Sequence, residues 1–302
     1  MTANEFLLDL LRSQSIGKDS IEAKDLKERR AEVENVLRGE FGADKPSIRY
    51  AGSYIKGTMV RDSYDLDLAC YFPHTKDLSL PEIRRQVETL LSDKYIITSK
   101  SSAVRIIRPK DASEELAYHI DVVPGRFVDE TMSDAYIHVA YGEKARMKTN
   151  LDTHIQFVTD SGRQDVLKLN KIWKVRNGID AKTFVMDIFL IEALKGYSST
   201  SLDLVFKRAL EEITNHIETR TIVDPANGGN IVSQAMSATQ KQAVALSAQR
   251  ALQDLSTSSG SVEAWQRLFK EATSNGAATK SGTGSIRIAP TPIMNPIKPY
   301  AA

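Results

Sequence analysis

Residues 51–72 read AGSYIKGTMVRDSYDLDLACYF, and this stretch decides how the rest of the chain is interpreted. Gly52 and Ser53 end a predicted strand and open a short segment, where a glycine lets backbone N–H groups approach a phosphate. Asp65 and Asp67 follow and flank Leu66. If this run is a strand, alternation places both carboxylates on one face, about 7 Å apart. That spacing suits a site for two metal ions that lie about 3.5–4 Å from each other.

A third carboxylate strengthens this interpretation. Asp121 lies in the β-rich run LAYHIDVVP, residues 116–124, on the same predicted strand face as His119. Its apolar neighbours would make an unpaired charge costly. An isolated Asp-x-Asp is common at a solvated strand end, and Asp121 alone suits a solvated edge strand, but the three together favour a metal site. Asp62 is interpreted as a loop or capping residue, and His119 as a packing residue.

Composition excludes several classes of protein. The 302 residues are 41% hydrophobic and 26% charged, as in an average soluble globular chain. Forty basic and 39 acidic residues give a net charge of +1, so no overall field attracts nucleic acid or anionic membranes. The single cysteine and the lack of any CxxC pattern exclude an internal disulfide and a structural zinc site. No apolar run approaches the roughly 18 residues that a membrane span needs, and the first residues form an amphipathic pattern rather than a signal peptide, so we expect a cytoplasmic protein without a membrane partner.

The spacing of hydrophobic residues along the chain changes from a β-rich first half to a helical second half. Residues 19–41 predict a long helix. Five β-rich runs follow, at residues 47–52, 65–72, 95–100, 103–109 and 116–124. From about residue 164 the period is helical. After Glu271 no acidic residue occurs and four of the ten prolines lie between Pro290 and Pro299, which indicates an extended tail.

These motifs resemble a known family. GSYIKGTMVRDSYDLDL resembles the GS, spacer, DxD signature of the DNA-polymerase-β-type nucleotidyltransferases, and specifically the branch of cyclic GMP-AMP synthase, oligoadenylate synthase and the bacterial CD-NTases. VLKLNKIWK, residues 166–174, resembles the spine-helix motif of that branch through Lys168 and Lys171. VDPANGGNIV, residues 223–232, resembles its Asp-Pro, spacer, Asn motif through Asp224 and Asn230. Two glycines stand in this last motif where the family often has a proline or a second asparagine.

The resemblance implies a fold and a domain plan. The fold is α/β (α+β): a polymerase-β-type nucleotidyltransferase core with a helical second lobe, and a cleft between the two. The nucleotidyltransferase core with its N-terminal brace helix would span residues 1–160. A helical lobe would span 161–275, and a flexible C-terminal tail would span 276–302.

The resemblance also implies an activity. The chain would be a Mg²⁺-dependent nucleotidyltransferase that joins NTPs, ATP among them, into a cyclic di- or trinucleotide second messenger and releases pyrophosphate, in bacterial antiphage (CBASS-type) signalling. Two Mg²⁺ ions, replaceable by Mn²⁺, would be held by the catalytic residues Asp65, Asp67 and Asp121. The implied nucleotide-binding residues are Gly52, Ser53, Lys168, Lys171, Asp224 and Asn230. The tail would bind a regulatory or conjugating protein, and zinc-dependent DNA sensing is not expected.

Alternatives remain open at this point. The runner-up is a linear-oligonucleotide or RNA-directed nucleotidyltransferase, for which a basic groove is expected. A catalytically silent nucleotide sensor and a protein-modifying transferase of toxin–antitoxin type are two more. Lys168 and Lys171 share a helix face, which is ordinarily a solvated stripe. The functional interpretation of Asp224, at a common turn start, rests almost wholly on the resemblance.

Overall fold

The protein is described by a computed structural model that covers residues 1–17, 19–39, 41, 45–116, 118–140 and 145–270. The described residues belong to one compact unit. The predicted tail at 276–302 lies outside the described residues.

A mixed sheet forms the first half of the compact unit. Its strands are β1 (Ser47–Tyr50), β2 (Leu66–Phe72), β3 (Tyr95–Ser99), β4 (Val104–Pro109), β5 (Ile120–Phe127), β6 (Asp134–His138) and β7 (Arg146–Asn150). The strand order is β1-β2-β5-β4-β3, and β6 pairs with both β5 and β7. Strands β2 and β5 run parallel to each other, whereas the other pairs are antiparallel.

Helices precede, interrupt and follow the sheet. They are α1 (Ala3–Gln14), α2 (Ile21–Gly39), α3 (Gly52–Ile55), α4 (Leu80–Lys94), α5 (Leu151–Thr159), α6 (Gln164–Arg176), α7 (Thr183–Ala193), α8 (Leu202–His216), α9 (Ala238–Thr257) and α10 (Val262–Leu268). A hairpin of β8 (Val223–Asp224) and β9 (Asn227–Ile231) interrupts the helical half. None of the helices in the described part of the chain combines the length and apolar character that crossing a bilayer requires.

Capping boxes fix the start of α1, which packs in the helical half, and the start of α4, which packs on the sheet. Thr2 caps α1 and Ser79 caps α4, and in each case a glutamate three residues on accepts a hydrogen bond from the cap backbone N–H. Each box satisfies N–H groups that have no partner inside the helix, at a typical gain of about 1 kcal/mol. From this capped start, helix α4 packs its apolar face against the sheet, where Ile83, Val87 and Leu91 are buried.

The two faces of the sheet are packed differently. One face carries Leu66, Leu68, Cys70 and Phe72 of β2 and packs with α2 and α4 in a single hydrophobic cluster. The opposite face carries the alternate β2 residues, and Ala69 and Tyr71 there join a smaller cluster. Because alternation along a strand is strict, Asp67 belongs to this second face.

A separate hydrophobic core holds the helical half together. It contains Trp173, Phe189, Phe206 and Trp265 from α6, α7, α8 and α10. Helix α1 also belongs to it, through Leu7, Leu10 and Leu11. The N-terminal helix therefore packs on the lobe that follows it by some 150 residues, and the boundaries 1–160 and 161–275 stay a prediction.

Candidate functional site

The register of two parallel strands places two of the predicted carboxylates side by side. Asp67 of β2 pairs with Asp121 of β5. Neighbouring strands lie about 4.8 Å apart, and paired residues point to the same face. Asp65 lies just before β2, where its Oδ1 accepts a hydrogen bond of 3.3 Å from the His119 backbone N–H. The structure thus brings all three to the same end of two parallel strands in the interior of the sheet.

Gly52 lies directly against Asp67. The Ala51 N–H donates to the Asp67 carbonyl at 2.8 Å, which holds the turn on β2. Gly52 has a φ of +60°, and a Cβ at this position would lie 1.7 Å from Asp67 Oδ2. Only glycine fits both the backbone conformation and the space. The Gly-Ser pair of the sequence motif is therefore a close contact of the carboxylate site.

The carboxylates perturb one another. Burial, then the charges of Asp65 and Asp121, raise the pKa of Asp67 from 3.8 to about 6. Burial also opposes ionisation of Asp65, but contact with His119 outweighs it and lowers the pKa of that carboxyl. A cluster of negative charge that disfavours its own ionisation attracts a cation.

Asp121 is held by an arginine from the neighbouring strand β4. Arg105 donates from Nε to Asp121 Oδ1 at 2.7 Å and from Nη2 to Oδ2 at 2.6 Å. Both side chains are mostly buried, so this bidentate pair is stronger than a surface ion pair. It fixes the carboxylate beside Asp67 and also competes with any metal ion for its oxygens. Arg105 was not singled out from the sequence.

Carboxylate oxygens are the donors that Mg²⁺ prefers, and Asp65 and Asp121 add negative charge beside Asp67. The three residues therefore fit a divalent cation. Within the described ranges no group of three or more Asp, Glu, His or Cys side chains is already gathered as a metal cluster. Asp65 contacts His119 and Asp121 contacts Arg105 instead.

A cavity of about 210 Å³ opens beside the carboxylates. Its walls come from the Gly-Ser turn, the end of the loop before β2, the helix α6 and the start of α7. The lining residues are Gly52, Ser53, Lys56, Ser63, Asp65, Asp67, Lys171, Thr183, Phe184 and Asp187. Five of the predicted site residues therefore line one cavity: Gly52, Ser53, Asp65, Asp67 and Lys171.

Lys171 points from α6 across to the turn. Its amine donates to the Thr58 carbonyl at 2.9 Å and to Thr58 Oγ1 at 3.1 Å. The side chain is 6% exposed, and this burial lowers the pKa of the amine. A lysine so placed ties the helical half to the Gly-Ser turn and presents positive charge to the cavity.

Asp224 and Asn230 are not among the residues that line the cavity, and they contact each other. Asp224 accepts hydrogen bonds from Asn230 Nδ2 at 3.0 Å and from the Ala226 N–H at 2.9 Å, and it contacts His154 Nε2 at 2.6 Å. The His154 ring packs edge-on against Phe184, which lines the cavity, at 5.1 Å between centroids. In this structure Asp224 therefore orients other side chains, among them one that supports a cavity wall.

Three other sequence interpretations have different outcomes. Lys168 is not brought to the cavity, because its amine lies 3.6 Å from Asp165, which lines a separate cavity near α1. His119 was interpreted as a packing residue, and this is wrong, since its side chain is 42% exposed and lies 3.4 Å from Asp65. Asp62 is in a loop, where it pairs with Arg176 at 2.6 Å.

The sequence matches no family model and no curated protein sequence. Comparison with solved structures does find relatives in fold. CdnC from E. coli MS115-1, determined with ATP, has a TM-score of 0.68 at 16% identity, over 89% of this chain and 98% of that chain. The CD-NTase CdnG from Bradyrhizobium diazoefficiens, in complex with GTP, has a TM-score of 0.62 at 12% identity, over 89% and 97% of the two chains.

A third structure extends the likeness. DncV from Vibrio cholerae, a cyclic AMP-GMP synthase, has a TM-score of 0.61 at 12% identity, over 90% of this chain and 86% of that chain. These comparisons confirm the predicted fold class, and the resemblance to bacterial CD-NTases is confirmed at the level of the fold.

Proposed function

We propose that this chain is a CD-NTase, an enzyme that joins NTPs into a cyclic di- or trinucleotide and releases pyrophosphate. The observation that carries the proposal is the parallel register of Asp67 and Asp121 beside the Gly52 turn, with Lys171 in the same cavity. The fold likeness to a cyclic AMP-GMP synthase over most of both chains supports the same reaction class.

Asp65, Asp67 and Asp121 would hold two Mg²⁺ ions, or Mn²⁺ in their place, and such ions neutralise phosphate charge and ease deprotonation of the attacking ribose hydroxyl. The chain's own residues do the positioning. Gly52 leaves room for the Asp67 carboxylate to approach the turn, and Ser53 lines the same cavity. Lys171 supplies positive charge for the donor triphosphate.

The remaining parts of the proposal have narrower support. ATP is proposed as one substrate, and CdnC from E. coli MS115-1 was determined with ATP. The same protein was determined in complex with HORMA-deltaN, which supports a regulatory protein partner for this chain. A role in bacterial antiphage signalling in the cytoplasm is proposed from the resemblance to the bacterial CD-NTases alone.

Incubation of the purified chain with all four NTPs and Mg²⁺, followed by mass spectrometry, tests the reaction. We expect a cyclic oligonucleotide, and no product from the Asp65→Asn/Asp67→Asn double variant. A linear oligonucleotide or an extended RNA from the wild type would favour the alternative transferase at the same site. Product from the double variant would refute the site itself.

A further inference from the structure

A buried carboxylate in the cavity has no role in the reaction described so far. Asp187 lies on α7, one turn after Thr183, and lines the cavity although it is only 5% exposed. Its Oδ1 is buried and accepts no hydrogen bond within the described part of the chain. A negative charge in a triphosphate pocket repels the substrate, so its presence there needs a reason.

Three lysines surround this carboxylate. Lys171 and Lys174 come from α6 and are 6% and 5% exposed. Lys56 comes from the end of α3, and its amine lies 5.3 Å from the centre of the Phe184 ring. Lys174 is held at the back of the cavity wall, where its amine donates to Thr183 Oγ1 at 3.2 Å.

Burial disfavours the charged form of each lysine. It lowers the pKa of Lys56 and of Lys171, and that of Lys174 to about 8. Of the charges that oppose this for each lysine, Asp187 is the largest. Other charges also face these lysines. The carboxylates Asp65, Asp67, Asp180 and Asp224 favour the charged form of the lysines. Positive charges disfavour it: Lys56 acts on Lys171, and Lys171 and Lys182 act on Lys174.

We propose that Asp187 is a positioning residue of the triphosphate pocket, the counter-ion that keeps Lys56 and Lys171 charged while the cavity is empty. The proposal rests on the proposed function for its substrate, the triphosphate. Burial raises the pKa of the Asp187 carboxyl, and the three ammonium groups act against this rise. Asp187 and the three ammonium groups together carry a net positive charge, while Asp65 and Asp67 in the same cavity carry negative charge that a divalent cation would neutralise.

Removal of this carboxylate has two opposed effects. Asp187→Asn takes away the repulsion of the triphosphate, which favours binding. It also makes the buried lysines easier to deprotonate, which disfavours binding at high pH. The variant is therefore expected to bind triphosphate at least as well as the wild type at pH 6.5 and about tenfold more weakly at pH 9, because its lysines lose their charge at a lower pH than those of the wild type.

Two measurements test this. The first follows the reaction of Lys56 and Lys171 with a small amine-acylating reagent between pH 6 and pH 10, by peptide mass spectrometry, and needs no nucleotide. Both lysines of Asp187→Asn are expected to react at a lower pH than in the wild type, with a rate about tenfold higher at pH 8. Asp187→Glu should restore the wild-type profile. Glu192→Gln, a charge removal on the same helix outside the cavity, should leave it unchanged.

The second measurement is calorimetric binding of inorganic triphosphate, without divalent cations, at pH 6.5 and pH 9. A crossover in the relative affinity of wild type and Asp187→Asn supports the counter-ion role. Equal weakening at both pH values, or unchanged lysine reactivity, overturns it. If Asp187→Asn does not fold, the acylation profile of the wild type decides. A wild-type Lys171 amine that is already neutral at pH 7 overturns the proposal. A wild type that forms no product from NTPs with Mg²⁺ would contradict the proposed function, while the acylation profile still decides the role of Asp187.

Discussion

Replacing Asp67 by the isosteric asparagine tests whether like charges destabilise the carboxylate site. Burial, Asp65 and Asp121 raise the pKa of Asp67 from 3.8 to about 6. A rise of this size corresponds to about 3 kcal/mol, at about 1.4 kcal/mol for each tenfold change in proton affinity. Because the side chain keeps some contact with solvent, we expect about 1–3 kcal/mol.

The sign follows from proton linkage. The folded protein binds the Asp67 proton more tightly than the unfolded chain does, so stability falls as the pH rises from about 4 to about 6. Above that range the whole cost is present. Asp67→Asn should therefore raise the free energy of unfolding at pH 8 and change it little at pH 4.

Thermal unfolding in the presence of a chelator measures this. Each 1 kcal/mol corresponds to roughly 2–4 °C for a unit of this size, so the variant should melt several degrees higher than the wild type at pH 8. Asp77→Asn, at an exposed aspartate, is the matched control and should not change the melting temperature. No rise at pH 8, or an equal rise at pH 4, would refute the electrostatic reasoning.

Gly52→Ala should abolish turnover and destabilise the fold, because the new methyl group overlaps the Asp67 carboxylate. Gly57→Ala is the control: it adds the same backbone strain in open space and should keep activity. Equal activity of the two variants would contradict the contact. Lys171→Ala should raise the KM for NTP by about tenfold or more and change kcat less, since the amine meets charge already present in the ground state; an unchanged KM counts against it. Arg105→Gln should tighten calorimetric Mn²⁺ binding, because the guanidinium that competes for a carboxylate is gone; weaker or unchanged binding would contradict this. Wild-type Mn²⁺ affinity should fall below about pH 6, where a proton competes for the Asp67 carboxylate; affinity that is constant from pH 5 to pH 7 would refute that.

The sequence predicted those parts of the candidate site whose residues lie close together in the chain. The Gly-Ser turn and the alternating aspartates lie in one continuous stretch, so their spacing predicted both the strand and the site. The helix predicted at residues 19–41 is present as α2 at Ile21–Gly39. Strands β6 and β7 were not predicted, because their runs are short and partly polar, and pairing with β5 supplies what local preference does not.

Residues that act across the fold were the ones missed. Arg105 meets Asp121 only through the register of β4 on β5, which no local pattern encodes. Asp187 lies in the apolar run TFVMDIFLIEA, where a single carboxylate gives no signal of the lysines that the fold places around it. Lys56 lies within the motif, four residues after Gly52, but the sequence gave no reason to choose it over the exposed positions beside it.

The ratio of pyrophosphate released to nucleotide incorporated tests the central claim most directly. Ring closure forms as many phosphodiester bonds as there are nucleotides, so a cyclic product requires one pyrophosphate for each nucleotide, and its phosphates resist phosphatase. We predict this ratio for the wild type with Mg²⁺, and no release from the Asp65→Asn/Asp67→Asn variant. Fewer pyrophosphates than nucleotides, with phosphatase-sensitive ends, would show a linear product and contradict the assignment as a cyclic-oligonucleotide synthase.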